Sequence, residues 1–359
     1  MDIRITRLET IEHAQALARC VYDIYGLTFH RSYLYEPETT LTLNQRGHLT
    51  SFLALDGDRC VGHLAAIRPY YEYTIAGTPV ASDEVRELGL NMVLQHLRDE
   101  DVLVQLKEAV SDWSKEQQLR GLYMRCVTHQ TADQREARKV GTPTALRLAG
   151  VPFWVRYEAD GGPRGQQPIS TISYYISLRE DQPQQIWVPE LDSDVYRMIY
   201  DRLDQPRELL SQKEGPGVGG ATRVRVHFDP AKHQGRIHVL RAGPDVAEMV
   251  IQRFRWLMAG RIRHVMVIAP MDNPFVARAA AEWKGEGMIF GGVMPNLMGA
   301  DAVLYQGVRE VDLRPGQIQV IDPLSVKIRN RAIDDWRFTR DMSLAENEFD
   351  GIAEPSAML

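Results

Sequence analysis

The stretches Gly121–His129 through Leu148 and His264–Pro295 run through the same order of patterns, and this repetition constrains the fold more than any other feature of the chain. In the first, GLYMRCVTH reads as a strand, TADQREARKVG as a short helix closed by Gly141, and TPTALRL as a second strand. In the second, HVMVIAP is a buried strand, NPFVARAAAEWKGEG a helix and MIFGGVMP a strand. Residue identities between the two are poor, so a duplicated unit is inferred from order alone.

The flanking segments extend the pattern. IRITRL reads as a strand, and IEHAQALARCVYDIYG as a helix whose apolar residues return at three and four. SFLALDGDRCVGHLAAI is a hairpin turning at Asp56-Gly57-Asp58, followed by the strand VRELGLNMVL. VLVQLKEAVSDWSKEQQ is an amphipathic helix with Leu103, Leu106, Val110 and Trp113 on one face. Further on, TISYYISL, TRVRVHF and DAVLYQGV are strands, and DVYRMIYDRL and DVAEMVIQRFRWLM are helices. The expected class is α/β, with mixed sheets flanked by helices. A length of 359 residues accommodates two cores. The Gly/Pro-rich ADGGPRGQQP at 159–168 sets the expected boundary, giving domains over 1–160 and 161–335. Residues 336–359, acidic and aperiodic, are expected as a tail, and SQKEGPGVGG at 211–220 as a flexible connection.

Hydrophobic residues make up 44% and charged residues 25%, and no apolar run is long enough to span a bilayer. MDIRITRLETIEH lacks the apolar core of a signal peptide, so the expected location is cytoplasmic. Cys20, Cys60 and Cys126 lie far apart with no CxxC pair, which argues against a disulfide framework and against a thiolate zinc site. The formal net charge of -6 gives no drive toward nucleic acid, which is not an expected partner.

Taken in order, YLYEPE (33–38), VGHLA (61–65), ELGLNMVLQHLR (87–98), RGLYMRCVTH (120–129) and IFGGVMP (289–295) resemble the GNAT acetyltransferase superfamily. They are more similar to a bacterial subgroup in which a GNAT domain precedes a second, diverged GNAT-like domain. The resemblance covers most of residues 1–315 and implies tandem GNAT-like domains. Active members hold the coenzyme A pyrophosphate in a loop Arg/Gln-x-x-Gly-x-Gly/Ala, through backbone N–H groups and the start of the main helix. That loop falls here on Arg98, Asp99, Glu100, Asp101, Val102 and Leu103. The arginine is kept, but Asp101 replaces the first glycine and Leu103 the small residue. Losing the glycine closes space that a ligand needs. The carboxylates repel a pyrophosphate, while each is favoured at an exposed helix start by roughly 0.3–1 kcal/mol. The run therefore reads as a helix capped by its own anions where the family binds its cofactor. Without the resemblance it would indicate only good capping.

The resemblance also implies a general base on the strand before this loop, a position matched by Glu87, whose plain structural reading is an exposed glutamate at a strand start. The family's frequent tyrosine acid is missing from TADQREARKVG. His129, after the strand in VTHQ, is a candidate cleft residue, its commoner role being a cap. His227, His233 and His238 fall on the hairpin VRVHFDPAKHQGRIHV, where facing positions could bring two imidazoles together. The alternating Arg and His read as a solvated face, and no metal site is expected. The expected protein is a degenerate GNAT-fold chain that does not acetylate, needs no cofactor, and binds a protein partner or small-molecule ligand in a regulatory or scaffolding role. The alternative is an N-acyltransferase using acetyl-CoA or another acyl-CoA through an atypical loop, with Glu87 as base.

Overall fold

The computed structural model describes residues 3–29, 31–70, 81–97, 101–151, 169–213, 220–260, 262–311 and 313–350. Arg98, Asp99, Glu100 and the expected boundary at 160 lie outside the described residues. The chain opens with β1 (Ile3–Arg7) and α1 (Ile11–Tyr25). Thr10 starts α1 by accepting the His13 N–H at 3.3 Å, and Ala14, Leu17, Cys20 and Val21 form its buried stripe. Next come α2 (Pro37–Gln45), the hairpin β2 (Leu49–Asp56) and β3 (Arg59–Ile67), then β4 (Val85–Val93) and α3 (Val102–Glu116). After these follow β5 (Gly121–Val127), α4 (Ala132–Val140), β6 (Thr142–Val151) and β7 (Ile169–Ser177). The helix expected to close at Gly141 does so, with the Gly141 N–H on Ala137 O at 2.9 Å.

A small parallel pair, β8 (Gln184–Val188) and β9 (Arg207–Ser211), brackets α5 (Ser193–Leu203). The remaining elements are β10 (Arg223–Asp229), β11 (Gln234–Arg241), α6 (Val246–Ala259), β12 (His264–Pro270), α7 (Pro274–Gly285), β13 (Ile289–Met294), β14 (Ala302–Val308) and α8 (Pro323–Asp350). Helix α8 thus crosses most of the expected tail. Its buried Leu324, Ile328 and Ala332 recur every four residues, and Trp336 packs against the same core. An ion pair and a hydrogen bond hold it, since Asp335 binds Lys284 on α7 at 2.9 Å and also accepts the Phe290 N–H on β13 at 2.9 Å.

All strands but β8 and β9 join one 12-stranded sheet, ordered β1-β2-β3-β4-β5-β7-β6-β13-β14-β12-β11-β10. The mixed α/β class expected from the sequence is what the structure has. The order also contains the repeat. β3-β4-β5-β7-β6 in the first half is matched by β10-β11-β12-β14-β13 in the second, each with one parallel pair (β4 with β5, β11 with β12) and helices at equivalent positions. Strand TISYYISL, expected to open the second domain, is β7 and pairs antiparallel with both β5 and β6. It therefore completes the first unit.

The units join through equivalent strands, β6 antiparallel to β13, at the pair Gly292 and Ala145. Gly292 has φ +112°, and a Cβ there would lie 2.2 Å from Thr144 O, so only glycine permits this approach. The apolar core does not divide at the joint. One cluster runs from Ala81 to Ile333 through β5, β6, β13 and α8, and a second, from Leu8 to Leu122, lies under α1 and α3. Among the described residues no helix is long and apolar enough to cross a membrane.

Candidate functional site

Each parallel pair of the large sheet holds together for only part of its length. β4 pairs with β5 over Val85–Leu88 and Gly121–Met124, then leaves β5 and runs on to Val93 paired with β3. A bulge drives it away: His63 faces Met92 while Ala65 faces Gly89, leaving an extra residue on β4, and Leu90 takes φ +57°. The buried His63 ring anchors the bulge, its Nδ1 donating to Leu90 O at 2.8 Å. Burial lowers the His63 pKa to about 4, so the ring is neutral at pH 7. The second unit repeats the device. β11 pairs with β12 only as far as His238 and Ile268, and Leu240 is the extra residue between the partners of Arg223 and Val224. Two V-shaped splits result, one in each unit. The registers behind them are non-local, and neither His63 nor Leu240 carried a sequence signal.

At the first split, Glu87 lies in the middle of the paired segment, and its Oε2 accepts from Arg125 Nη2 on β5 at 2.7 Å. The Glu87 side chain is only 16% exposed, so it is neither an exposed strand-start residue nor a carboxylate without a partner. His129 lies half-buried just beyond the end of β5. Asp101 is the N-cap residue of α3, but its side chain makes no capping hydrogen bond, so the expected self-capping is not found at this residue. Val102 is fully buried and fills the space above Gly62, where a Cβ would meet Val102 Cγ1 at 3.0 Å and Leu106 Cδ1 at 3.3 Å. Val102, instead of the half-buried Leu103, heads the buried stripe of α3.

The second split has an equivalent helix start. Asp245 is the N-cap residue of α6 and precedes the buried Val246, as Asp101 precedes Val102. Val246, Val250 and Phe254 bury the face that Val102, Leu106 and Val110 bury on α3. Here the carboxylate is tied to the entry of β10: Asp245 Oδ1 accepts the Thr222 N–H at 2.9 Å and its hydroxyl at 2.5 Å. These bonds hold the Asp245 carboxyl below the usual aspartate range. The loop is closed by backbone, since a Cβ on Gly243 would lie 2.1 Å from Gly220 O.

A cavity of about 260 Å³ opens at the mouth of the second split. Its apolar wall includes Trp187, Leu240, Pro270 and Met298, and Arg241 and Asp272 contribute charge from the ends of the two diverging strands. The β10–β11 register sets His227 opposite Arg236 and His238 opposite Arg225, so the hairpin does not pair imidazoles. His238 is fully buried instead of solvated, and desolvation with Arg236 and Arg225 nearby lowers its pKa to about 3. Among the described residues no group of three or more His, Cys, Asp or Glu could hold a metal ion. Burial pushes the Cys126 thiol up to about 12, which leaves it inert as a nucleophile.

No family model matches the chain, and no curated protein matches it. Solved structures do. A GNAT-family acetyltransferase from Staphylococcus aureus is similar at 16% identity and TM-score 0.34, over 50% of this chain and 100% of its own. Arabidopsis thaliana NAA60, solved with acetyl-CoA, is similar at 14% and 0.36, over 49% and 99%. The PaiA N-acetyltransferase of Thermoplasma acidophilum, solved with coenzyme A, is similar at 12% and 0.31, over 48% and 98%. These low values transfer no activity, and the architecture rests on the strand order above.

Proposed function

We propose that the chain is a tandem GNAT-like protein, its units divided near the β6–β13 joint, that does not transfer acyl groups and serves as a binding protein for a partner or small ligand. The observation that carries this reading is the aspartate at the start of both post-split helices. Asp101 and Asp245 stand at the N-caps of α3 and α6, where a pyrophosphate has to approach the helix N–H groups. A carboxylate there repels the phosphate, and beside Asp245 the backbone of Gly220 already fills the space that Gly243 leaves open. These residues do not fit coenzyme A. The ion pair of Glu87 with Arg125 supports the same reading, because a base must be open to the amine it deprotonates. The intact core and both splits support retained binding over decay.

Calorimetric titration of the full chain with acetyl-CoA and free CoA tests this reading. No saturable heat is expected from the wild type, with weak binding gained by the triple variant Asp99→Gly, Glu100→Gln, Asp101→Gly. Micromolar binding by the wild type, followed by transfer to an amine, would overturn it. In that case Glu87→Gln should lower turnover without shifting the unfolding midpoint.

A further inference from the structure

The cavity at the second split is the feature that the proposed function leaves unexplained. Its volume of about 260 Å³ lies just below the ~300–1,000 Å³ that encloses drug-sized ligands, so it suits a molecule of about amino-acid size. Its charges come from opposite sides of the V. Arg241 ends β11, and Asp272 lies two residues beyond the end of β12. No ion pair between them is found, and the Asp272 carboxylate has Asn273 Nδ2 as its neighbour at 3.4 Å. Asp272 is exposed at the rim, yet the surrounding chain withholds enough water to raise its pKa above the usual aspartate range. A partly desolvated carboxylate without a cation favours an ammonium group. Arg241 directs Nε and Nη2 to a single carbonyl, Ala221 O, at 3.1 and 2.8 Å, which fixes its guanidinium beside the cavity, and no carboxylate pairs with it among the described residues. The same cavity is lined by Trp187, Leu240 and Met298, which offer an apolar surface beside the two charges.

We propose that this cavity binds a free α-amino acid with a large apolar or aromatic side chain, its ammonium on Asp272, its carboxylate on Arg241 and its side chain against Trp187 and Met298. One sign of charge alone would leave half of the site unmatched. A zwitterion matches both halves, and its side chain accounts for the apolar wall. The inference names a ligand for the proposed binding function and rests on that reading only in taking acyl-CoA not to be the ligand.

The test is calorimetry on the full chain with L-phenylalanine, L-tryptophan, L-leucine and L-methionine. Phenethylamine, which lacks the carboxylate, and 3-phenylpropionate, which lacks the ammonium, are run beside them. At least one amino acid is expected to bind saturably at a millimolar or lower Kd, with both truncated probes weaker by about tenfold or more. Asp272→Asn, at an exposed position, should weaken binding by about tenfold with an unchanged unfolding midpoint. Arg241→Gln should do the same for the amino acids but leave phenethylamine nearly unaffected. Absence of saturation by all four amino acids up to roughly 10 mM overturns the proposal, as does binding that neither variant changes. Micromolar acetyl-CoA binding followed by transfer to an amine, read in a separate assay, would overturn the proposed function and leave this result standing on its own.

Discussion

Gly292 sits at the ladder pair between β6 and β13, the strands through which the two units join, and its neighbours show what the position requires. A methyl group there would collide with Thr144 O and with Ala145 Cα, 2.7 Å away, besides imposing φ +112° on an L-residue. Gly292→Ala should therefore destabilise by about 2–4 kcal/mol, read from urea unfolding. Gly299→Ala is the control: it shares a positive φ, +82°, but has nothing within 4 Å, so it should cost only about 1 kcal/mol. An equal loss in both variants would mean that strain, and not the joint, sets the requirement. The aspartate pair teaches a complementary lesson. Asp101 stood out in the sequence as part of an acidic run, whereas Asp245 became its counterpart only when β11 and α6 were found to repeat β4 and α3.

Helix α8 shows how an element can hide. Its charged residues disguised the four-residue recurrence of Leu324, Ile328 and Ala332, and its half-buried anchor, Asp335, reads as one more surface acid. Asp335→Ala strips Lys284 of one of its two carboxylates and leaves the Phe290 N–H without its acceptor. The loss should be about 3–5 kcal/mol, with Asp335→Asn milder because its side-chain oxygen can still accept from Phe290. Urea midpoints for the two variants check this. The long strands, the hairpins and the helices α1, α3, α6 and α7 were legible because each pattern is local. The β8–β9 pair was missed because QQIWV and RELLS are too short to show a period. The arginine and histidine of β11 were misread because alternation reveals that a strand has two faces but not what covers the second. The splits could not be read at all, since a bulge is a relation between strands.

For the whole molecule, three buried imidazoles tie stability to pH. His63 and His238 titrate at about 4 and about 3, and His264 is also lowered by burial and by Arg147. In the unfolded chain each titrates near 6.5. Below that value the unfolded state binds more protons than the folded one, so the stability present above pH 6.5 is lost as pH falls toward 4. Urea midpoints between pH 7 and 4.5 should decline steeply, and His63→Gln, which retains a donor for Leu90 O, should flatten the slope by about one proton. An unchanged slope would remove His63 from the acid response. The same connectedness appears in the chain's clasps. Gln134 on α4 donates to Gln319 O at 2.8 Å, and the Gln319 N–H returns to Thr128 O at 2.8 Å, so the segment before α8 closes over the first unit.

That clasp, with a core that runs from Ala81 to Ile333, has a consequence for how the protein is made. At ~5–20 residues per second a ribosome needs roughly 20–70 s to translate a chain of this size. The cluster under α1 and α3 can assemble early, since its members end at Leu122. The remainder of the first sheet cannot, because residues of α8 that share its core are translated well after it. The nascent chain therefore waits with an apolar surface open until Ile333 has emerged, which lengthens the time over which it is exposed to aggregation.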